Sequence, residues 1–337
     1  MLRMQRNAMK KALSLLCALT LMVSMFVTVF AAETGDSIEE NIINAPYDYP
    51  YKTGTKEWLE LETIHDKIAA CQIPEDILHK LSDEALVETI KNYPLAVNIY
   101  AYDTIEMGYE KVKSQFNAIE ELESRVNSND SNVLRVLEAE AGKLESRGSD
   151  ADFKDCFIDT IKGCVCSQLP SDYPGDTSIL SATATLTTPN GSSVPAIRSL
   201  TWNDHYISSN GQITQANVQL AHNQIQETYT SATVVNGISP KYNCHSYAWY
   251  STSASNSYWI NDPSMYILDG SYSESSYYHV GAKILYGTPG NNPEHSAIVS
   301  AVSENHLTYV TSKWGCMGVY RHLYFDSPYT SGIKKYH

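Results

Sequence analysis

Between residues 56 and 147 the apolar side chains recur at helical spacing. Trp58, Leu61, Ile64 and Ile68 share one face, and Tyr109, Val112, Phe116, Ile119, Leu122 and Val126 another, the periodicity of helices that bury one stripe. Ser82 followed by Asp83 and Glu84 predicts a helix start, because the hydroxyl caps free N–H groups and acids favour that end; Tyr93-Pro94 predicts its stop. Residues 165–200 change character. Pro170, Pro174, Gly175, Pro189, Gly191 and Pro195 stand among many Ser and Thr, which predicts a linker or an extended hairpin. Past it helical periodicity fades, and β-type runs at 283–286, 296–302, 307–311 and 319–325, separated by Gly, Pro and Asn, predict an antiparallel sheet. The pattern describes an α+β chain: a helical domain over 32–150, a Ser/Thr/Pro-rich linker over 151–200 and a sheet-bearing domain over 201–337.

The first residues change the picture of where the chain goes. Arg3, Arg6, Lys10 and Lys11 precede an uncharged run from Ala12 to Phe30, and Val29-Phe30-Ala31 offers a small-residue cleavage site, so residues 1–31 read as a secretory signal peptide. An uncleaved membrane anchor is the alternative, since the run approaches the roughly 20 residues that span a bilayer. Leu16 before Cys17 argues against lipidation. With 337 residues, 43% apolar and 18% charged, the chain is too apolar for a disordered tail. Its formal charge of −14 becomes about −18 once four basic residues leave with the signal peptide. That excess repels nucleic acid and anionic membrane surfaces, so neither is expected as a partner, nor is stable membrane association after cleavage.

Export makes the cysteine count meaningful. Cys71, Cys156, Cys164, Cys166, Cys244 and Cys316 remain, far below disulfide-scaffold density; local disulfides and reduced thiols both stay open. No second close pair completes a zinc set around Cys164-Val165-Cys166, and no H-E-x-x-H motif occurs, so neither metal nor cofactor is expected.

Chemistry concentrates in Lys241-Tyr242-Asn243-Cys244-His245-Ser246-Tyr247-Ala248-Trp249-Tyr250. Here a cysteine opens a helix whose free N–H groups favour thiolate. A thiolate nucleophile needs a base that also protonates a leaving amine. Asn292-Pro293-Glu294-His295-Ser296-Ala297-Ile298-Val299 supplies His295 at the head of an apolar strand; His322 is among the rival bases. The aromatic run Tyr247, Trp249, Tyr250, Tyr258, Trp259 reads as packing or as the lining of a groove.

This order, Cys opening a helix, a Gly-led strand ending in an aromatic, then His leading an apolar strand, resembles the NlpC/P60 and CHAP group of papain-like cysteine hydrolases over residues 200–337. The resemblance implies an α+β fold with the Cys244 helix packed on a central antiparallel sheet, Cys244 as nucleophile and His295 as general base and acid. The family's third polar residue falls near Ser312, a weaker orienter than a carboxylate, beside Lys313, which accepts no hydrogen bond when charged. Tyr242, a candidate second oxyanion donor, and Trp314 are the candidate substrate-binding residues. The implied activity is amide cleavage in bacterial cell-wall peptide by a secreted cysteine peptidase or amidase. The alternative is a secreted, non-catalytic surface or peptide-binding protein with a degenerate domain of this kind.

Overall fold

The computed structural model describes residues 41–128, 131–144, 152–168, 182–198, 200–209, 211–305 and 307–337; the expected signal peptide lies outside them. Helices fill the amino-terminal part and antiparallel sheets the carboxy-terminal part. Ser82 caps α1 (Asp83–Lys91), its hydroxyl accepting from the Ala85 N–H at 3.2 Å, and the helix ends before Tyr93-Pro94. The second apolar stripe is carried by two helices, α2 (Ile105–Gln115) and α3 (Asn117–Asn127), because Phe116 between them is extended (φ −143°). The first stripe likewise spans two short helical turns, Lys56–Leu59 and Ile64–Ala70, each started by its own threonine, Thr55 and Thr63.

Two helices depart from the pattern-based expectation. After α4 (Ser131–Ala141), the start of the expected linker is α5 (Phe153–Gln168), with Phe157, Ile158, Ile161 and Val165 buried. Within the expected sheet domain, α6 (Gln215–Thr228) buries only Val218, Ala221, Ile225 and Thr228, a stripe too thin among Asn and Gln to stand out.

The strands are β1 (Ala182–Thr187), β2 (Ser193–Arg198), β3 (Thr233–Asn236), β4 (Tyr258–Trp259), β5 (Lys283–Tyr286), β6 (His295–Val302), β7 (Thr308–Lys313), β8 (Val319–Leu323) and β9 (Ile333–Tyr336). β1 and β2 make the extended hairpin, and β2 also pairs with β4; residues 169–181 of the linker lie outside the described residues. The larger sheet has the order β3-β8-β7-β6-β5-β9, all antiparallel.

Residues 42–337 form one compact unit, and one apolar core runs from Tyr49 to Tyr329. Trp58 Nε1 donates to the Thr228 carbonyl at 2.9 Å, the Tyr229 hydroxyl donates to Asn98 Oδ1 at 2.6 Å, and buried Lys67 pairs with Asp326. The helical half therefore packs against the sheet half across a shared interior. Gly315, after β7, marks the closest approach: at φ +46° its missing Cβ would stand 2.3 Å from the Tyr102 carbonyl oxygen, which only glycine tolerates.

Candidate functional site

Asn243 builds the start of the helical turn that carries Cys244. Its Oδ1 accepts from the Ser246 N–H at 3.1 Å, as an N-cap does, and from the Ile260 N–H at 3.2 Å. Its Nδ2 donates to Asp103 Oδ2 at 2.7 Å and to the Ile260 carbonyl at 2.9 Å. Cys244 is thus the first helical residue, and the turn runs on as a π-helix over Ser246–Tyr250. This turn lies on the larger sheet: Trp249 packs with Leu285, and Tyr247 and Tyr242 with Val319.

Strand alternation divides β6 between two faces of the sheet. Ser296 faces the Cys244 turn, and its hydroxyl meets His245 Nδ1 at 2.8 Å and accepts from Trp249 Nε1 at 2.8 Å. His295, paired with Tyr286 across β5, belongs to the other face. There its ring stacks on Tyr329 with centroids 3.5 Å apart and planes 9° apart, and meets Tyr286 edge-on at 5.3 Å. The backbone N–H groups of Ser296 and His245 favour the Cys244 thiolate, so the nucleophile candidate stands near the head of β6.

The two side chains do not bond to each other. His295 is fully buried and neither ring nitrogen has a hydrogen-bond partner. Burial holds its pKa well below the usual imidazole value, helped by His322 and His245, so the ring is neutral. Burial also pushes the Cys244 thiol well above its ordinary value, and Asp103 adds to the rise; the two N–H groups and Lys313 pull the other way without prevailing. The expected thiolate-favouring effect of the helix start is thus outweighed by desolvation. Both groups are therefore uncharged at rest, a thiol and a neutral imidazole.

The remaining expected residues have other partners. Ser312 does not orient His295: its hydroxyl meets His322 Nε2 at 2.9 Å and accepts from Trp314 Nε1 at 2.9 Å. His322 Nδ1 lies 2.9 Å from the Leu323 carbonyl, which can only accept. In the neutral ring Nδ1 therefore carries the proton and Nε2 accepts from Ser312. His245 is set the same way between Pro293 and Ser296, and burial lowers both histidines to about 4. Both are structural, which removes His322 as a rival base. Trp314, expected to bind substrate, is fully buried against Tyr229, Tyr320 and His322. Tyr242 is buried as well and stacked on Tyr247. All six described cysteines are free, and among the described residues no acidic, His or Cys cluster suits a metal.

Three residues that the pattern did not single out converge here. Asp103, at the end of the 3-10 turn Ala96–Tyr100 and its continuation, brings a carboxyl that burial raises to about 6 against the opposing pull of Asn243 and Lys313. Lys313, completely buried, donates from Nζ to the carbonyls of Ser239, Gly315 and Met317 at 3.0, 2.5 and 2.7 Å, and burial lowers it to about 8. Glu294 pins the segment that covers His295: Oε2 accepts from the Thr330 and Ser331 N–H groups at 3.2 and 2.8 Å, while Oε1 meets Lys111 at 2.8 Å and Tyr102 at 3.3 Å. Asp103 was hidden from sequence reasoning by the 140 residues that separate it from Asn243. Lys313, the last residue of a mostly polar strand, carried no signal either.

Comparison with protein-family models, with curated proteins and with solved structures finds no match to the chain. Among the described residues no helix is long and apolar enough to cross a membrane.

Proposed function

We infer that the protein is a secreted cysteine hydrolase of papain-like design that cleaves an amide, with Cys244 as nucleophile and His295 as general base and acid. The observation that carries this reading is a fully buried imidazole with two unpartnered nitrogens at the head of the strand on which the Cys244 turn rests, where the neighbouring Ser296 hydroxyl meets His245 at 2.8 Å. A buried polar group left unsatisfied costs about 1–3 kcal/mol, and such orphans call for an explanation; a base that waits for a proton supplies one. The capped turn adds a second support, since the Cys244 and His245 N–H groups open a helix and suit a developing oxyanion.

In the reaction the free imidazole nitrogen takes the thiol proton as the sulfur attacks the amide carbonyl. The C–N bond then breaks, the imidazolium returns that proton to the leaving amine, and a thioester remains. Water, deprotonated by the same imidazole, adds to the thioester; the C–S bond breaks and thiol and imidazole are restored. Tyr329 stacks on the ring in the resting state, so substrate entry displaces it. Cell-wall peptide is the substrate class that fits an amidase carrying an export signal; the charge near −18 disfavours polyanionic wall polymers as the direct ligand.

A second reading, a non-catalytic binding protein, is favoured by one observation: Cys244 is 3% and His295 0% exposed. Labelling of the mature protein with a small thiol alkylator near pH 6, comparing wild type, Cys244→Ala and His295→Ala, separates the two. A hydrolase loses its labelling at Cys244 in the first variant and labels more slowly in the second, and its wild type alone cuts wall peptide. A Cys244 that labels equally with and without His295, in a protein that leaves wall peptide intact, contradicts catalysis.

A further inference from the structure

The helical half contributes directly to the chemistry-bearing turn. Asp103 reaches Asn243 from 140 positions earlier, and Asn243 divides its amide between that carboxyl and the cap of the turn. On the other side Lys313 ends β7 with all three of its carbonyl contacts made by the chain around Ser239 and the 315–317 turn, so its ammonium is fixed in place. Lys313 Nζ also stands 5.4 Å from the ring of Tyr242, two residues before Cys244, so both charges lie beside the turn, where the carboxylate raises the Cys244 thiol and the ammonium lowers it. The other titratable groups of the cluster are Cys316 beyond β7, His295 on β6, His245 on the turn itself and Tyr329 on the segment before β9. Burial keeps both imidazoles uncharged and the Cys316 thiol and Tyr329 phenol protonated, which leaves Asp103 and Lys313 as the cluster's two charges.

The geometry points to Asp103 and Lys313 as positioning residues for Cys244. Asp103 holds the first turn in place through Asn243, and Lys313 supplies the fixed positive charge that the sulfur meets when it ionises. The helical half is then part of the reactive machinery. This deepens the reading of Cys244 as nucleophile and rests on it, but its test reads ionisation and does not depend on turnover.

The thiolate of Cys244 is read as the absorbance near 240 nm that is lost in Cys244→Ala, followed against pH. Asp103→Asn keeps the shape that accepts from Asn243 and removes the charge, so its midpoint falls by about one pH unit, tenfold more thiolate at a given pH. Lys313→Met moves the midpoint up by a similar amount. Should that variant not fold, Asp103→Asn alone carries the test, with Asp103→Glu restoring the wild-type direction. Asp103→Ala, which lets Asn243 go, broadens or abolishes the fast alkylation of Cys244 while thermal unfolding stays cooperative. Unchanged midpoints in folded Asp103→Asn overturn the proposal, because a purely structural aspartate would alter stability and leave the titration where it was. If instead the midpoint shifts as stated and wall peptide is never cleaved, the positioning role stands and the hydrolase reading falls.

Discussion

Asp326 offers the sharpest test of the shared interior. Its carboxylate pairs with Lys67 from the helical half, both side chains at most 5% exposed, and its second oxygen accepts from the Ser231 hydroxyl at 2.7 Å. Asp326→Ala strands a buried ammonium, which typically costs about 3–5 kcal/mol. The rings of Tyr229 and Trp58, 5.0 and 5.9 Å from Lys67 Nζ, offset about 1 kcal/mol of that, whereas the lost serine bond adds about 1 kcal/mol. The net expectation stays at about 3–5 kcal/mol, a drop of about 1–1.7 M in the urea midpoint for an m-value near 3 kcal/mol/M. Circular dichroism, weighted to the helices, and fluorescence of Trp314 and Trp259 should fall together in one transition. Lys67→Met with Asp326→Leu should recover most of the loss, because an apolar pair leaves no stranded charge. Asp326 also belongs to the segment that places Tyr329 over His295, so Cys244 alkylation should quicken by up to about 100-fold as that segment opens more often. A cost below about 1 kcal/mol, or separate transitions for the two halves, refutes the shared core.

Acid should destabilise the fold. His245 and His322 sit near 4 in the folded state and near 6.5 when unfolded, so the unfolded chain binds more protons between those values and stability is lost as pH falls through the window. Each contributes about 2.5 kcal/mol of loss by pH 4.5, and His295 acts in the same direction. Asp103, raised to about 6, binds its proton earlier when folded and returns about 2 kcal/mol; a melting temperature that rises from pH 6.5 to 4.5 contradicts this balance. Ser312→Ala should cost about 1–3 kcal/mol in denaturant titration, since it orphans the buried Trp314 N–H and removes the donor to His322, yet leave the alkylation rate of Cys244 unchanged; a slowed thiol would return Ser312 to the site. Gly315→Ala should cost more than about 2 kcal/mol by the same titration, because the added methyl meets the Tyr102 carbonyl at a strained φ; a neutral result would show that the approach of the two halves is slack.

What could be read in the sequence follows the range of the forces involved. Four strands of the larger sheet, β5 to β8, were legible because they alternate or run apolar between Gly, Pro and Asn turns, and the runs at 283–286 and 296–302 match β5 and β6 to within a residue, whereas the two edge strands β3 and β9 were missed. The Ser82 cap was legible because capping is local. The helices α5 and α6 were not, since tertiary burial of a few residues, Phe157 or Ile225, overrides a polar and Cys-rich surrounding. Cys244 and His295 were singled out from local context, and their chain neighbours His245 and Ser296 bond to each other. Their protonation was not legible: a helix start argues for thiolate, and only the packed surroundings show that desolvation wins. Asp103, Lys313 and the cover formed by Tyr329 arise from pairings between distant segments that no local pattern encodes.

The central claim is that Cys244 and His295 open amide bonds, and the most direct measurement is the release of new amino groups from purified bacterial cell wall by the mature protein. The account predicts release by the wild type and none above background by Cys244→Ala or His295→Ala, each shown to be folded by its melting curve. Release that persists in folded Cys244→Ala, or its absence in the wild type across peptide and wall substrates, would contradict it.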